Sequence, residues 1–136
     1  MARYVIHSGS LMALLERGTG LGGCALLAPG AARSEVLNLL YDGLRAGSLS
    51  RGTANRLLTR LAEEKVRYLS DRVLRSKALD TALELGLADT FLAEYVALAR
   101  LHADALVIED GPEREAVRGA VRTLTLAQAA GEEERR

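Results

Sequence analysis

Two rhythms of apolar residues alternate along the chain. Short unbroken runs stand at Tyr4-Val5-Ile6, Cys24 to Leu27, Val66 to Leu69, Ala105 to Ile108 and Val121 to Leu126, and these read as strands. Between them the spacing is helical. Leu11, Met12, Leu14 and Leu15 form one face of a short helix. Positions 36, 37, 40 and 44 mark a second, from Ala31 to about Ala46, with Gly47 as its stop. Ser50 is placed to cap a helix whose inner face is Ala54, Leu57, Leu58 and Leu61. Ser70 is read as the cap of a long helix with Val73, Leu74, Ala78, Leu79, Ala82 and Leu83 inward, ended by Gly86. Asp89 is read as the cap of another, carrying Leu92, Tyr95, Val96, Ala99 and Leu101. Pro29-Gly30 closes the second strand, and Pro112 suits the first turn of a small helix. Strands alternating with helices predict an α/β layer fold with a mainly parallel sheet. Ligands in such sheets gather at the carboxyl edge. The residues just past the strands therefore matter most: His7-Ser8, Pro29 to Glu35, Ser70-Asp71 and Glu109-Asp110.

Composition narrows this further. With 136 residues the chain suits one domain, read here as residues 1–126, followed by a solvated tail over 127–136. Eighteen basic side chains balance eighteen acidic ones, which argues against a dedicated polybasic binder of nucleic acid or membrane. The balance is not local. Residues 33–77 carry ten basic and five acidic groups, and residues 78–116 carry nine acidic and two basic. No apolar run approaches the ~20 residues that span a bilayer, and the opening residues lack a signal-peptide core. The lone Cys24 reads as a small buried hydrophobe of a cytoplasmic protein.

Several motifs carry less than their letters promise. Gly18, Gly20 and Gly23 spell a dinucleotide fingerprint, but a helix precedes them and a strand follows, the reverse of what a pyrophosphate site requires. They are read as a loop. His102 sits near a helix C-terminus, where the helix dipole favours it, and no second ligand stands at zinc spacing. The segment 48–61 places Arg56 and Arg60 one turn apart, as phosphate contacts would be, so a nucleic-acid-binding regulator using the Arg-rich helix 50–64 is one alternative reading. Arg33, Arg56 and Arg60 are its candidate contacts. Glu35, in the first turn of its helix directly after a strand, would face His7 and Asp110 across the carboxyl edge. Such a mixed oxygen-rich set favours Mg²⁺ or Mn²⁺ over zinc.

Four stretches together resemble a PIN domain of the VapC-type toxin ribonucleases. They are Tyr4 to Leu15, Leu27 to Leu40 with Pro29 and Ser34-Glu35, Asp89 to Ala99 with Tyr95-Val-Ala-Leu-Ala99, and Ala103 to Asp110. The resemblance covers residues 4 to about 110. It implies a three-layer α/β/α fold with a central mainly parallel sheet, and an acidic cluster that binds Mg²⁺ or Mn²⁺ and cleaves RNA. It also implies a homodimer and an antitoxin peptide laid in an apolar groove.

The pattern is broken at its chemical positions. His7 stands where the family has its first acid, Gly9 where a Ser or Thr is usual, Leu92 at the third acid, and Ile108 in place of a Thr. Glu35 and Asp110 remain. Glu109 and Asp89 are accessory candidates, whereas Glu94 lies about 200° around the helix from Leu92 and should not share its cleft. Two carboxylates leave a hard cation undercompensated, and losing one partner of a buried charge pair costs roughly 3–5 kcal/mol. The expectation is thus a PIN-like domain with a silent or attenuated centre, kept as a binding or oligomerisation module. The competing expectation is an active endoribonuclease in which His7, Glu35 and Asp110 hold the metal.

Overall fold

The computed structural model describes residues 1–136. In chain order the elements are β1 (Arg3–Ile6), α1 (Ser8–Arg17), β2 (Ala25–Pro29), α2 (Ala32–Ala46), α3 (Arg51–Glu63) and β3 (Val66–Leu69). They continue with α4 (Arg72–Leu85), α5 (Phe91–His102), β4 (Ala105–Val107), α6 (Pro112–Ala116), β5 (Thr123–Leu124) and α7 (Leu126–Glu134). The five strands form one sheet in the order β3-β2-β1-β4-β5. Every pairing is parallel, with Tyr4 opposite Leu26 on one side and Ala105 on the other. Helices cover both faces, giving the expected three-layer α/β/α architecture.

Burial explains which runs became strands. Tyr4, Val5, Ile6 and Ala105 to Val107 are fully enclosed, as central strands of a parallel sheet covered on both faces must be. The edge strands are poorer: β3 is half-exposed and β5 spans two residues. Pro29 is tolerated inside β2 because it lies past the register with β1, where no ladder N–H is required. α5 packs directly on β1, β2 and β4, and its buried face runs from Leu92 to Ala99. α4 rests on α5, while α1 meets α2, α3 and α7. The C-terminal carbonyls of α1 are drawn off by Gly18, whose N–H donates to Leu14 O, and by Arg60, whose Nη1 donates to Leu15 O at 2.8 Å. No helix is long and apolar enough to cross a membrane.

Several expectations need correction. The cap of α4 is Asp71, whose side chain accepts from the Leu74 N–H. Ser70 serves another purpose: its Oγ accepts from the Gly30 N–H at 3.0 Å, in a contact so close that a Cβ on Gly30 would lie 2.5 Å from it. The Asp71→Ala variant is expected to lower stability by about 1 kcal/mol, roughly 3–4 °C in Tm. Ser70→Ala should leave α4 capped, and thermal melts of the pair distinguish the two roles. The inward stripe of α4 is Leu74, Ala78 and Thr81, so Val73, Leu79 and Leu83 point to solvent. A threonine can occupy that stripe because its hydroxyl donates to Lys77 O at 2.8 Å.

At α5 the cap position is Thr90, with Asp89 Oδ1 accepting from the Phe91 N–H, and Leu101 is largely outward. The last apolar run splits, Thr123–Leu124 pairing with β4 and Leu126 opening α7. Most of the expected solvated tail is helix. Thr125 and Gln128 make a reciprocal capping box, Ala129 is buried, and the Tyr4 hydroxyl donates to Glu132 Oε2 at 3.0 Å. Cys24 is half-buried, just ahead of β2.

Candidate functional site at the carboxyl edge

β1 ends at Ile6, and the next residue becomes the N-cap of α1. His7 therefore sits at the carboxyl edge with its ring pinned: Nδ1 accepts from the Gly9 N–H at 3.3 Å. That bond leaves Nε2 as the nitrogen carrying the proton, and Nε2 lies 3.3 Å from Glu113 Oε2. The ring also packs against Tyr95, centroids 4.8 Å apart and tilted by 57°. Tyr95 is delivered by the buried face of α5 and is 1% exposed. Its hydroxyl donates to Glu35 Oε1 in a short hydrogen bond. Burial first, then that bond and the Glu35 charge, raise the phenol well above its ordinary value.

These groups surround an open cleft of about 440 Å³ whose walls include His7, Ser8, Ser34, Glu35, Asn38, Phe91 and Glu113. Of the candidate metal ligands, the cleft gathers His7 and Glu35, with Ser8 and Ser34 from the same strand ends beside them. Asp110 is not among its walls. Its side chain is 87% exposed and is held by Arg114 at 2.7 Å. Glu109 turns the other way and serves as a staple, its Oε2 accepting from Ser10 Oγ at 2.5 Å and from the Leu126 N–H at 2.9 Å. Leu92 is buried in the core. Asp89 is occupied at the start of α5. Glu94 opens onto a separate hollow beside Arg75, Leu79 and Thr90. Even so, its carboxyl is raised, by burial first and then by the Glu35 charge, with Arg75 opposing.

The basic candidates are dispersed. The Arg33 guanidinium lies 4.3 Å above the Tyr68 ring, Arg56 donates to Thr53 Oγ1, and Arg60 is tied to Leu15. The sequence reading does not single out Tyr95, Phe91, Asn38 or Glu113 as participants; Tyr95 is placed there on the inner face of its helix. Glu113 comes from α6, which the turn at Gly111-Pro112 folds back over the edge.

Small dications of the Mg²⁺ class take about six oxygen donors near 2.1 Å. Here one imidazole nitrogen already accepts an N–H, the other faces Glu113, and Glu35 accepts from Tyr95. No group of three or more His, Cys, Asp or Glu side chains is arranged to hold a metal ion. The residues present do not fit that ion.

No family model matches the chain, and no curated protein matches it. Among solved structures it is similar to PAE2754 from Pyrobaculum aerophilum, with a TM-score of 0.76 and 21% identity over 99% of this chain and 98% of that one. At that identity the likeness is one of fold, a three-layer α/β/α domain around a central five-stranded parallel sheet.

Proposed function

We propose that this chain is a PIN-domain protein of VapC-type descent whose nuclease centre has degenerated, and that it works by binding and assembly. The observation that carries this reading is the internal commitment of the cleft. The two titratable groups that the cleft takes from the strand ends already have partners in the chain: His7 with Gly9 and Glu113, and Glu35 with Tyr95. A carboxylate engaged in a charge-assisted hydrogen bond surrenders part of its attraction for a cation. The apolar surface fits the second half of the reading. Between α2 and α3 lies a hollow of about 410 Å³ walled by Leu37, Leu40, Tyr41, Leu44 and Leu58. Leu37 and Tyr41 remain 54% and 55% exposed at its rim. Exposed apolar walls of this kind suit the homodimer or antitoxin contact that the resemblance implies.

Melting with and without Mn²⁺ tests the proposal. Saturation of a tight site at about a hundred times its Kd would add ~2.7 kcal/mol, roughly 8–10 °C. The expected shift is under about 1 °C, with no RNA cleavage by the parent chain. A Mn²⁺-dependent rise that Glu35→Ala removes, accompanied by RNA turnover, would reject the reading in favour of an active ribonuclease using His7 and Glu35.

A further inference from the structure

α4 turns three large apolar side chains away from the domain. Val73, Leu79 and Leu83 are 59%, 59% and 83% exposed, while the inward stripe is Leu74, Ala78 and Thr81. At about 100° per residue, the outermost line of the helix is Arg72, Ser76, Leu79 and Leu83. Steps of four, three and four residues are those of a seam by which one helix packs along another. We infer that this line is a self-association surface, on which α4 of a second copy of the chain packs antiparallel about a two-fold axis. The inference rests on the assembly half of the proposed function and deepens it, placing the second copy on α4 and not in the hollow between α2 and α3.

Shape is the first argument. A two-fold axis midway between Ser76 and Leu79 sets Leu79 opposite the second copy's Ser76, and Leu83 opposite its Arg72. The small serine leaves a hole for the leucine, and the aliphatic stem of Arg72 covers the more exposed leucine. A parallel pairing would set Arg72 against Arg72 and bring like ends of the two helix dipoles together.

Charge is the second. Arg72, Arg75 and Lys77 lie in the first half of α4, and Asp80 and Glu84 in the second, so an antiparallel copy lays each half on its opposite. Arg75 and Glu84 are held within the chain, by Ser70 O and by Arg100. Arg72, Lys77 and Asp80 belong to no ion pair of the chain. In the register described, Asp80 lies within about one turn, along the axis, of both Arg72 and Lys77 of the second copy. The two-fold axis makes that contact twice. Each exposed pair adds little affinity, so these charges chiefly fix direction and register while the leucines supply the attraction. Flanking charges of both signs also suit a second helix better than a lipid surface, which favours a continuous apolar face beside basic residues.

Sedimentation velocity of the full chain over a range of concentrations tests the assignment. The parent is expected to form a reversible dimer. Asp80→Arg makes the flank wholly basic, and the pair Arg72→Asp, Lys77→Asp makes it wholly acidic. Each should weaken dimerisation by about tenfold or more, with circular dichroism unchanged because these side chains have no ion-pair partner to lose within the chain. Mixed one to one, the two variants should recover the parent's affinity, since each supplies the charge that the other lacks. Leu37→Glu, in the α2–α3 hollow, should leave the dimer intact. A monomeric parent would overturn the assignment and leave the stripe to a different protein. A dimer that survives the α4 variants, a dimer broken by Leu37→Glu, or a mixture that stays monomeric would overturn it equally. Mn²⁺ melting and RNA cleavage report on the carboxyl-edge cleft separately, so either reading can fail without the other.

Discussion

The double substitution His7→Asp, Leu92→Asp is expected to yield a chain whose melting depends strongly on Mn²⁺ and which cleaves RNA. The two changes differ in cost. Asp is among the best N-caps, so residue 7 continues to hold the first turn of α1 through its own side chain. Leu92 is 9% exposed and packed in the core, so a carboxylate there loses apolar contacts and gains an unpaired charge. Without metal the double variant should fall by about 3–5 kcal/mol, roughly 10–15 °C in Tm. With saturating Mn²⁺ much of that loss should return if, as the resemblance implies, the two introduced carboxylates and Glu35 face one cation. The cation would polarise the phosphoryl oxygen and lower the pKa of a bound water. Cleavage by this variant and silence in the parent are the expected pair of results in an RNA assay. A low melting point that Mn²⁺ leaves unchanged would show that Glu35 is not recoverable as a ligand while Tyr95 holds it.

Tyr95→Phe should have the second-largest effect, and it separates the hydroxyl from the ring. The ring contact with His7 and the packing of α5 survive, while Glu35 loses its donor. Losing a hydrogen bond to a charged partner costs about 2 kcal/mol, which predicts a drop of roughly 6–8 °C near neutral pH. The same variant changes the alkaline limb of stability. In the folded chain Tyr95 keeps its proton well above the ordinary value of 10.0, at which an unfolded tyrosine releases it. Above pH 10 the unfolded state therefore binds fewer protons than the native one, and stability falls as pH rises, by up to about 1.4 kcal/mol per pH unit. The contribution is complete below pH 10 and is lost on approach to the folded value. Phe has no such proton, so the gap between parent and variant should narrow by about 1 kcal/mol from pH 10 to about pH 11 in urea titrations. Tyr4 and Tyr68 are also raised and remain in both chains, so their slope is common to the comparison. A constant gap across that range would assign the Tyr95 proton elsewhere.

The sequence disclosed the sheet better than the helices around it. Tyr4 to Ile6 and Ala105 to Val107 are apolar at every position because both faces are covered, and that signature needs no knowledge of neighbours. α4 was harder, since it touches the rest of the domain chiefly through α5 and exposes leucines at 79 and 83 while burying a threonine. Hydrophobicity alone sets the wrong phase for such a helix. Charge misled in the same way at the C-terminus, where Glu132 looks solvated yet accepts from Tyr4 across the domain.

At the site, His7 and Glu35 were legible because each directly follows a strand. The behaviour of Glu109 and Asp110 was not. Adjacent residues at a strand end point to opposite sides, and the choice fell to Ser10 and the free N–H of Leu126, which draw Glu109 inward and leave Asp110 to Arg114. Glu113 depends on the path of α6 after Gly111, which no local pattern encodes.

The strand order has a consequence for how the chain is made. β1 joins β2 on one side early, but its other neighbour is β4, about a hundred residues later. At translation rates of ~5–20 residues per second, the free edge of this central strand waits on the order of 5–20 seconds for its partner to leave the ribosome. Over that interval a nascent chain holds β1, β2 and β3 with one flank open to foreign strands. Substitutions that slow synthesis before residue 105 would lengthen the exposure without altering a single native contact.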